Sequence, residues 1–340
     1  MAFKIGGSAR IRDYVVKVLN GMALGLFSSL IIGLIIKQVG TLAGWESVVR
    51  FGRLAQYMMG PAIGAGVAYS VGASPLGIFA SVVAGASGAG TVVFGTSGPA
   101  LAIGEPMGAL VGSLVGAELS KLAAGRTKVD IVLVPTVTIL SGGLAGLYAG
   151  PWIADMMYLL GDVINMATKL HPLPMGILVS VIMGVILTLP ISSAALAISL
   201  GLSGLAAGAA TVGCSCQMIG FAVQSYRENG PGGLISQGIG TSMIQIPNIV
   251  RNPWIWVPPT LSSALLGPAA TLFFHMENNK IGAGMGTSGL VGQFGTLAVM
   301  GPVAWPGIIV LHFVMPALLT LLFSEYMRRK GLIKEGDMSL

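Results

Sequence analysis

Charge is what this sequence has least of. Asp, Glu, Lys and Arg make up 9% of its 340 residues, against about 25% in ordinary globular domains. Such a chain cannot cover a water-facing surface. With 54% hydrophobic residues and a mean hydropathy of +0.85, it reads as a membrane protein. Cysteine is nearly missing. Cys214 and Cys216 lie one residue apart in an apolar stretch, which suits neither a disulfide framework nor a zinc site. The three histidines, His171, His275 and His312, form no His-Glu-x-x-His motif and no Cys/His cluster, so no metal site is nominated. Long polar stretches are missing too. The longest are residues 226–233, 276–280 and the two ends. That leaves no soluble nucleotide-binding or catalytic module and no phosphate-binding G-x-x-x-x-G-K-[ST] loop. ATP-driven transport by this chain alone is excluded, no cofactor is implied, and no catalytic set of its own is recognised.

The few charges are placed informatively. The net charge is +6, with Lys4, Arg10, Arg12 and Lys17 at the front and Arg328, Arg329, Lys330 and Lys334 at the back. This is not a nucleic-acid footprint. By the positive-inside rule both termini are cytoplasmic, which requires an even number of spans across the cell membrane. The first apolar run is long enough to stay in the bilayer, so no cleavable signal peptide is expected.

What the chain has in abundance is glycine, 51 residues. In an apolar chain, glycine lets transmembrane helices approach closely. A span needs roughly 20 apolar residues. On that scale spans fall at 18–36, 54–71, 75–94, 100–117, 129–148, 152–167, 176–199, 202–223, 234–246, 254–274, 285–300 and 307–323. A Gly-Thr-Ser-Gly tetrapeptide stands between the third and fourth of these, Gly95 to Gly98, and another within the eleventh, Gly286 to Gly289. Such backbone is tolerated at membrane depth only where protein or a wet cavity surrounds it. Both are read as re-entrant or broken-helix hairpins, which leaves an all-α membrane protein of about ten transmembrane helices.

The second half echoes the first. Val134-Pro135-Thr136 and Val257-Pro258-Pro259-Thr260 stand at an offset of 123 (257 − 134). Gly108, Gly112 and Gly116 match Gly232, Ser236 and Gly240 at an offset of 124 (232 − 108). An internal duplication of roughly 120 residues follows, with one repeat at about 55–157 and the other at about 173–278. Both sit in a single polytopic domain, residues 1–330, followed by a cytoplasmic tail, residues 331–340. Many transporters build a site between duplicated halves.

Candidate site residues are polar groups stranded in apolar sequence. Glu105, in Gly104-Glu105-Pro106, costs roughly 2.5–3.5 kcal/mol at a span centre, so it is expected to face a cavity and accept hydrogen bonds. The Gly-Thr-Ser-Gly elements expose backbone amides and add hydroxyls; Ser97 and Ser288 represent them, with Gly240-Thr241-Ser242 a partial third copy. Ser192, Ser193, Gln217, Gln237, Gln245, Asn248 and Gln293 add uncharged hydrogen-bonding groups. Any one of them can serve only to join two helices. Together they favour a hydroxyl-rich solute over a cation. The substrate-binding set is therefore Ser97, Glu105, Ser192, Gln217, Ser288 and Gln293. His312, embedded in Leu311-His312-Phe313, is the histidine expected to be buried.

Four segments carry a family resemblance: Gly95 to Pro106, Leu189-Pro190-Ile191-Ser192-Ser193, Gly213-Cys214-Ser215-Cys216-Gln217, and Gly284 to Gly295. They resemble the membrane (EIIC) component of the bacterial phosphotransferase system, in the divergent branch that includes PfoR-like regulators. The resemblance covers roughly residues 15–325. It implies about ten transmembrane helices, re-entrant hairpins, a homodimer and a sugar site. In better-known members a histidine and the glutamate of a Gly-Ile-Thr-Glu-Pro-like motif contact the sugar hydroxyl that is phosphorylated. Ile103-Gly104-Glu105-Pro106 is the similar string here. It has Gly where Thr or Ser is usual, and it comes early in the chain. Partner IIA and IIB proteins would have to be separate chains. The expected function is a permease for a small polar, sugar-like solute. Its rivals are a non-phosphorylating membrane sensor and an ion-coupled transporter on the same fold.

Overall fold

The computed structural model describes residues 7–95 and 98–340. The chain separates into two compact units, Met1–Asp155 and Met156–Leu340. Nearly all regular structure is helical. Among the described residues, four stretches are long and apolar enough to cross a membrane: Ile11–Thr41, Asp130–Thr168, Gly204–Gln224 and Ser288–Arg329.

In the first unit, α1 (Gly7–Leu26) continues through a π-helical turn at Phe27–Ile31 into α2 (Ile32–Ala43), which Gly44 ends in the left-handed conformation. Then come α3 (Glu46–Tyr57), α4 (Met59–Ser70) and α5 (Pro75–Ala89). Helix α5 starts on Ser74, whose hydroxyl accepts from the Gly77 amide at 3.2 Å, with Pro75 in its first turn. An antiparallel hairpin of β1 (Val92–Gly95) and β2 (Gly98–Leu101) follows, pairing Val92 with Leu101 and Phe94 with Pro99. After it run α6 (Pro106–Ala123) and α7 (Asp130–Thr168), whose 39 residues pass through the division between the units.

Small residues hold this unit together. A Cβ on Gly64 would meet the Ser81 carbonyl at 2.1 Å, and one on Gly88 would meet the Gly108 carbonyl at 2.2 Å. Glycines on α4, α5 and α6 thus bring helix backbones into direct contact. The ladder Gly108, Gly112 and Gly116 is a helix-packing seam that also meets Gly142 of α7.

The second unit packs α8 (Pro172–Thr188), α10 (Gly204–Gln224) and α13 (Val257–Leu272) against one another, with α16 (Met315–Arg329) alongside α10 and α13. A Cβ on Gly213 would lie 1.9 Å from the Ser180 carbonyl, so α8 and α10 touch backbone to backbone. Short α9 (Ser193–Ser199) precedes α10. Between α10 and α13 the chain is broken. Helix α11 (Tyr226–Ile235) bends at Gly230 (φ 58°), then a π turn (Ser236–Gly240), a 3₁₀ turn (Ser242–Gln245), α12 (Ile246–Arg251) and a second 3₁₀ turn (Pro253–Trp256) lead on. Beyond α13 come turns, then a 3₁₀ turn at Ser288–Leu290, α14 (Val291–Met300), α15 (Trp305–Gly307) and a π-helical segment, Ile308–Val314, that runs into α16.

Three features differ from the sequence expectation. Residues 129–148 and 152–167, read as two spans, form the single helix α7 with Pro135 and Pro151 inside it. Residues 54–71, read as one span, break at Met58, because Pro61 in the first turn of α4 has no N–H to continue the preceding helix. The Gly95–Gly98 element is the end of a β-hairpin, so the fold is helical with one strand pair; its Thr96 and Ser97 lie outside the described residues. Residues 331–340 fold back onto the second unit, with Ile333 and Met338 buried among Phe221, Ile249, Ile255 and Met327.

Candidate functional site

Polar side chains cluster in the second unit, where the helices are interrupted. Gln217 sits in the middle of α10, fully buried. Its Oε1 accepts from Trp256 Nε1 at 3.0 Å and from Thr188 Oγ1 at 3.4 Å. Its Nε2 donates to Thr260 Oγ1 at 3.1 Å. Thr188 Oγ1 in turn lies 2.8 Å from Ser242 Oγ. One carboxamide therefore ties together the end of α8, the middle of α10, the start of α13 and the 3₁₀ turn at 242–245.

The glycine-rich segments meet beside this node. Thr287 donates through Oγ1 to the Gly238 carbonyl, and Ser288 Oγ to the Gly240 carbonyl at 2.8 Å. The tetrapeptide Gly286 to Gly289 thus lies against Gly240-Thr241-Ser242, its partial copy. Gly286 (φ 53°) rests on α10; a Cβ there would be 2.7 Å from the Cys214 carbonyl carbon. Only glycine fits both the conformation and the approach. Asn278, also buried, donates from Nδ2 to Thr211 Oγ1 at 2.7 Å and to the Gly292 carbonyl at 2.9 Å. It pins the segment leading to Gly286 onto α10.

Gln293 on α14 pairs with His312 in the π-helical segment, Nε2 to Nδ1 at 3.0 Å, both side chains buried. Gln293 Oε1 and His312 Nε2 are buried with no hydrogen-bond partner. An amide nitrogen can only donate, so Nδ1 is the bare acceptor and Nε2 carries the proton; the pair leaves one donor, His312 Nε2–H, and one acceptor, Gln293 Oε1, unmatched. Buried polar atoms are nearly always matched, and π turns recur at functional sites.

The nominated residues fall in different places. Gln217, Ser288 and Gln293 belong to the polar cluster of the second unit. Ser192 caps α9, its Oγ accepting from the Ala195 amide at 3.2 Å, while its neighbour Ser193 reaches the Gly284 carbonyl at 2.6 Å. Glu105 is in the first unit, half-buried before α6, its amide donating to the Ala89 carbonyl at 2.9 Å. Gly104 (φ 81°) packs against Ala89 and sets that position. Ser97 lies outside the described residues. Thr188, Trp256, Thr260 and Asn278 were not singled out as site residues; Thr188 carries a signal in hindsight, since it directly precedes Leu189-Pro190, where α8 must stop.

Cavities of about 430 and about 300 Å³ flank Arg227 of α11 and Arg328 at the end of α16. Arg227, Arg328, Lys334 and Glu335 border the first and Arg227, Glu325 and Arg328 the second, unlike the neutral cluster, so the solute is not assigned to them.

A polytopic helical chain with a neutral, hydroxyl- and amide-lined interior is a membrane transport component by class. The sequence model of the family "Phosphotransferase system, EIIC" matches residues 16–340, and the chain belongs to that family. It is thus a membrane component of a phosphotransferase system, which works with the system's other proteins. No curated protein and no solved structure matches the chain.

Proposed function

We propose that this protein is the solute-translocating EIIC subunit for a neutral, hydroxyl-rich, sugar-like solute, held by the polar cluster of the second unit. The observation that carries the reading is the Gln293–His312 pair, which keeps an unmatched donor and an unmatched acceptor inside a buried site. A hydroxyl group is both donor and acceptor, so it matches this pair better than a cation or a carboxylate does. Gln217 and Ser288 supply neutral contacts nearby, and Ser192 sets the end of the Leu189–Ser192 break. Glu105 and Ser97 stay proposed as solute-contacting residues of the first unit in their own right, with Glu105 accepting from a hydroxyl. About ten membrane crossings, two re-entrant elements, duplicated halves, cytoplasmic termini and a homodimer complete the reading. The phosphoryl group comes from separate IIA and IIB proteins, and this chain orients the hydroxyl that receives it.

The test is uptake of a panel of radiolabelled hexoses, hexitols and amino sugars into proteoliposomes, with and without a phosphorylated partner fraction. Gln293→Ala and His312→Ala should each lower transport by at least about ten-fold, the effect of losing a buried hydrogen bond to the solute. Unchanged uptake in both removes the pair from the mechanism. Uptake that ignores the phosphoryl donor and collapses with an uncoupler selects an ion-coupled carrier. Binding without uptake selects a sensor.

A further inference from the structure

The amides Asn229, Gln245, Asn248 and Asn252 share one feature that the solute site does not use. Each binds the backbone or a side chain of residues 332–340. Asn229 reads two backbone groups of the peptide: its Nδ2 donates to the Met338 carbonyl at 2.8 Å, and its Oδ1 accepts from the Leu340 amide at 2.9 Å. Gln245 Nε2 donates to the same Met338 carbonyl at 3.0 Å. Asn248 Nδ2 donates to the Ser339 carbonyl at 2.9 Å. Asn252 Nδ2 donates to the Leu332 carbonyl at 2.9 Å and to Asp337 Oδ2 at 2.7 Å. The Met338 side chain is fully buried and Ile333 nearly so. This is recognition of a turned peptide segment by carboxamides, with one side chain as a plug.

The cradle continues toward the solute site. Gln245 also donates from Nε2 to Gln237 Oε1 at 2.9 Å, and Gln237 donates from Nε2 to Ser225 Oγ at 2.8 Å. Gln245 ends the 3₁₀ turn that begins at Ser242, and Ser242 is the residue bonded to Thr188 beside Gln217. One four-residue turn therefore touches the peptide at one end and the solute cluster at the other. We infer that residues 333–340 are a strap that holds the broken segment 236–251 in place through the amide cradle, and that its release loosens the Ser242–Thr188 contact at the solute site. The coupling to solute rests on the function proposed above; the strap itself does not.

Cysteine accessibility tests this in the full chain in lipid nanodiscs, with a water-soluble maleimide and mass spectrometry. Ser242→Cys places a reporter at a site that is fully buried. The variant Met338→Asp forces a charge into the plug pocket. It should raise labelling of the residue-242 thiol by about ten-fold or more, since several hydrogen bonds of ordinary strength are lost together. The native Cys214 and Cys216, both fully buried, should stay unlabelled, showing that the bundle is intact. If Ser339→Cys shows the strap released while the residue-242 thiol keeps its wild-type rate, the inference fails. Should Met338→Asp unfold the bundle, hydrogen exchange of the unaltered protein decides. Amides of 333–340 and 242–249 should exchange at one common rate; 242–249 staying protected after 333–340 has exchanged overturns the strap. Faster labelling at 242 combined with unchanged uptake in Gln217 and Gln293 variants keeps the strap and sinks only the solute reading.

Discussion

The two units solve the same problem, packing helices without charge, in different ways. The first unit excludes side chains. Its glycines on α4, α5 and α6 set carbonyls of one helix where the next would carry a Cβ, and the buried hydroxyls of Ser113 and Ser120 bond within their own helix. The second unit has such contacts too, at Gly213 and Gly267, but it also buries Gln217, Gln237, Gln245, Asn248, Asn278 and Gln293, bonded between elements. Apart from Gln217, inside α10, these amides sit in turns and short helices. The segment Gly232 to Gly240, which echoes the ladder Gly108 to Gly116, is bent and partly π-helical instead of a straight seam. On the function proposed above, the sealed bundle is the scaffold and the broken one offers its amides to the solute.

The difference is sharpest for ion pairs. In the first unit Arg50–Glu46 lies on the surface, its side chains 75% and 67% exposed. In the second, Arg328 Nη2 meets Glu228 Oε1 at 2.8 Å with side chains 12% and 2% exposed. Arg328→Met strands a buried carboxylate and should cost about 3–5 kcal/mol. The double change with Glu228→Gln should recover most of that. Arg50→Ala should cost less than about 0.5 kcal/mol. Detergent-induced unfolding followed by tryptophan fluorescence measures all three; equal losses at Arg50 and Arg328 would erase the distinction.

Glycine contacts come next in size. Gly64→Val drives a side chain into the Ser81 carbonyl and should cost about 3 kcal/mol, the upper part of the overpacking range. On α7, Gly150→Ala meets nothing and should be neutral or stabilising. If thermal aggregation in detergent shows the two variants alike, backbone contact is not what holds the first unit.

Gln217→Leu follows. Three partners, Trp256, buried Thr188 and Thr260, lose their mate. Interhelical hydrogen bonds in membranes average well under 2 kcal/mol each, so stability should fall by about 1–2 kcal/mol while uptake falls far more. A variant that loses stability and keeps full uptake would place Gln217 in packing alone.

Apolar composition made helices legible, and stranded amides made the chemistry of the second unit legible. Partners were not, for identifiable reasons. Proline reads as a break, yet Pro151 sits within α7, because its fixed φ suits a helix and only one backbone bond is lost. His312 and Gln293 are 19 residues apart, and a π turn shifts the side-chain register off the 3.6 period, so no periodicity places them face to face. Val92, Val93 and Phe94 are strand formers that an apolar window counts as helix. Residues 332–340 look like a solvated tail until Ile333 and Met338 are seen to be buried.

The smallest effect discriminates best, because the same chemical change should have opposite signs in the two units. Ser81 on α5 is fully buried and its Oγ has no hydrogen-bond partner. Ser81→Ala removes an unmatched hydroxyl, so stability should stay constant or rise by up to about 1 kcal/mol. Ser193, buried to a similar degree, donates to the Gly284 carbonyl at 2.6 Å and closes the turn that leads to Gly286. Ser193→Ala leaves that carbonyl unmatched and should lower stability by about 1 kcal/mol. It should also weaken solute binding, since the Gly286–Gly289 element loses an anchor. Paired unfolding curves in one detergent remove the shared uncertainty of the membrane reference state. A loss at Ser81 equal to that at Ser193 would mean that buried hydroxyls do the same work in both units, and that the second unit's polar interior is packing rather than a site.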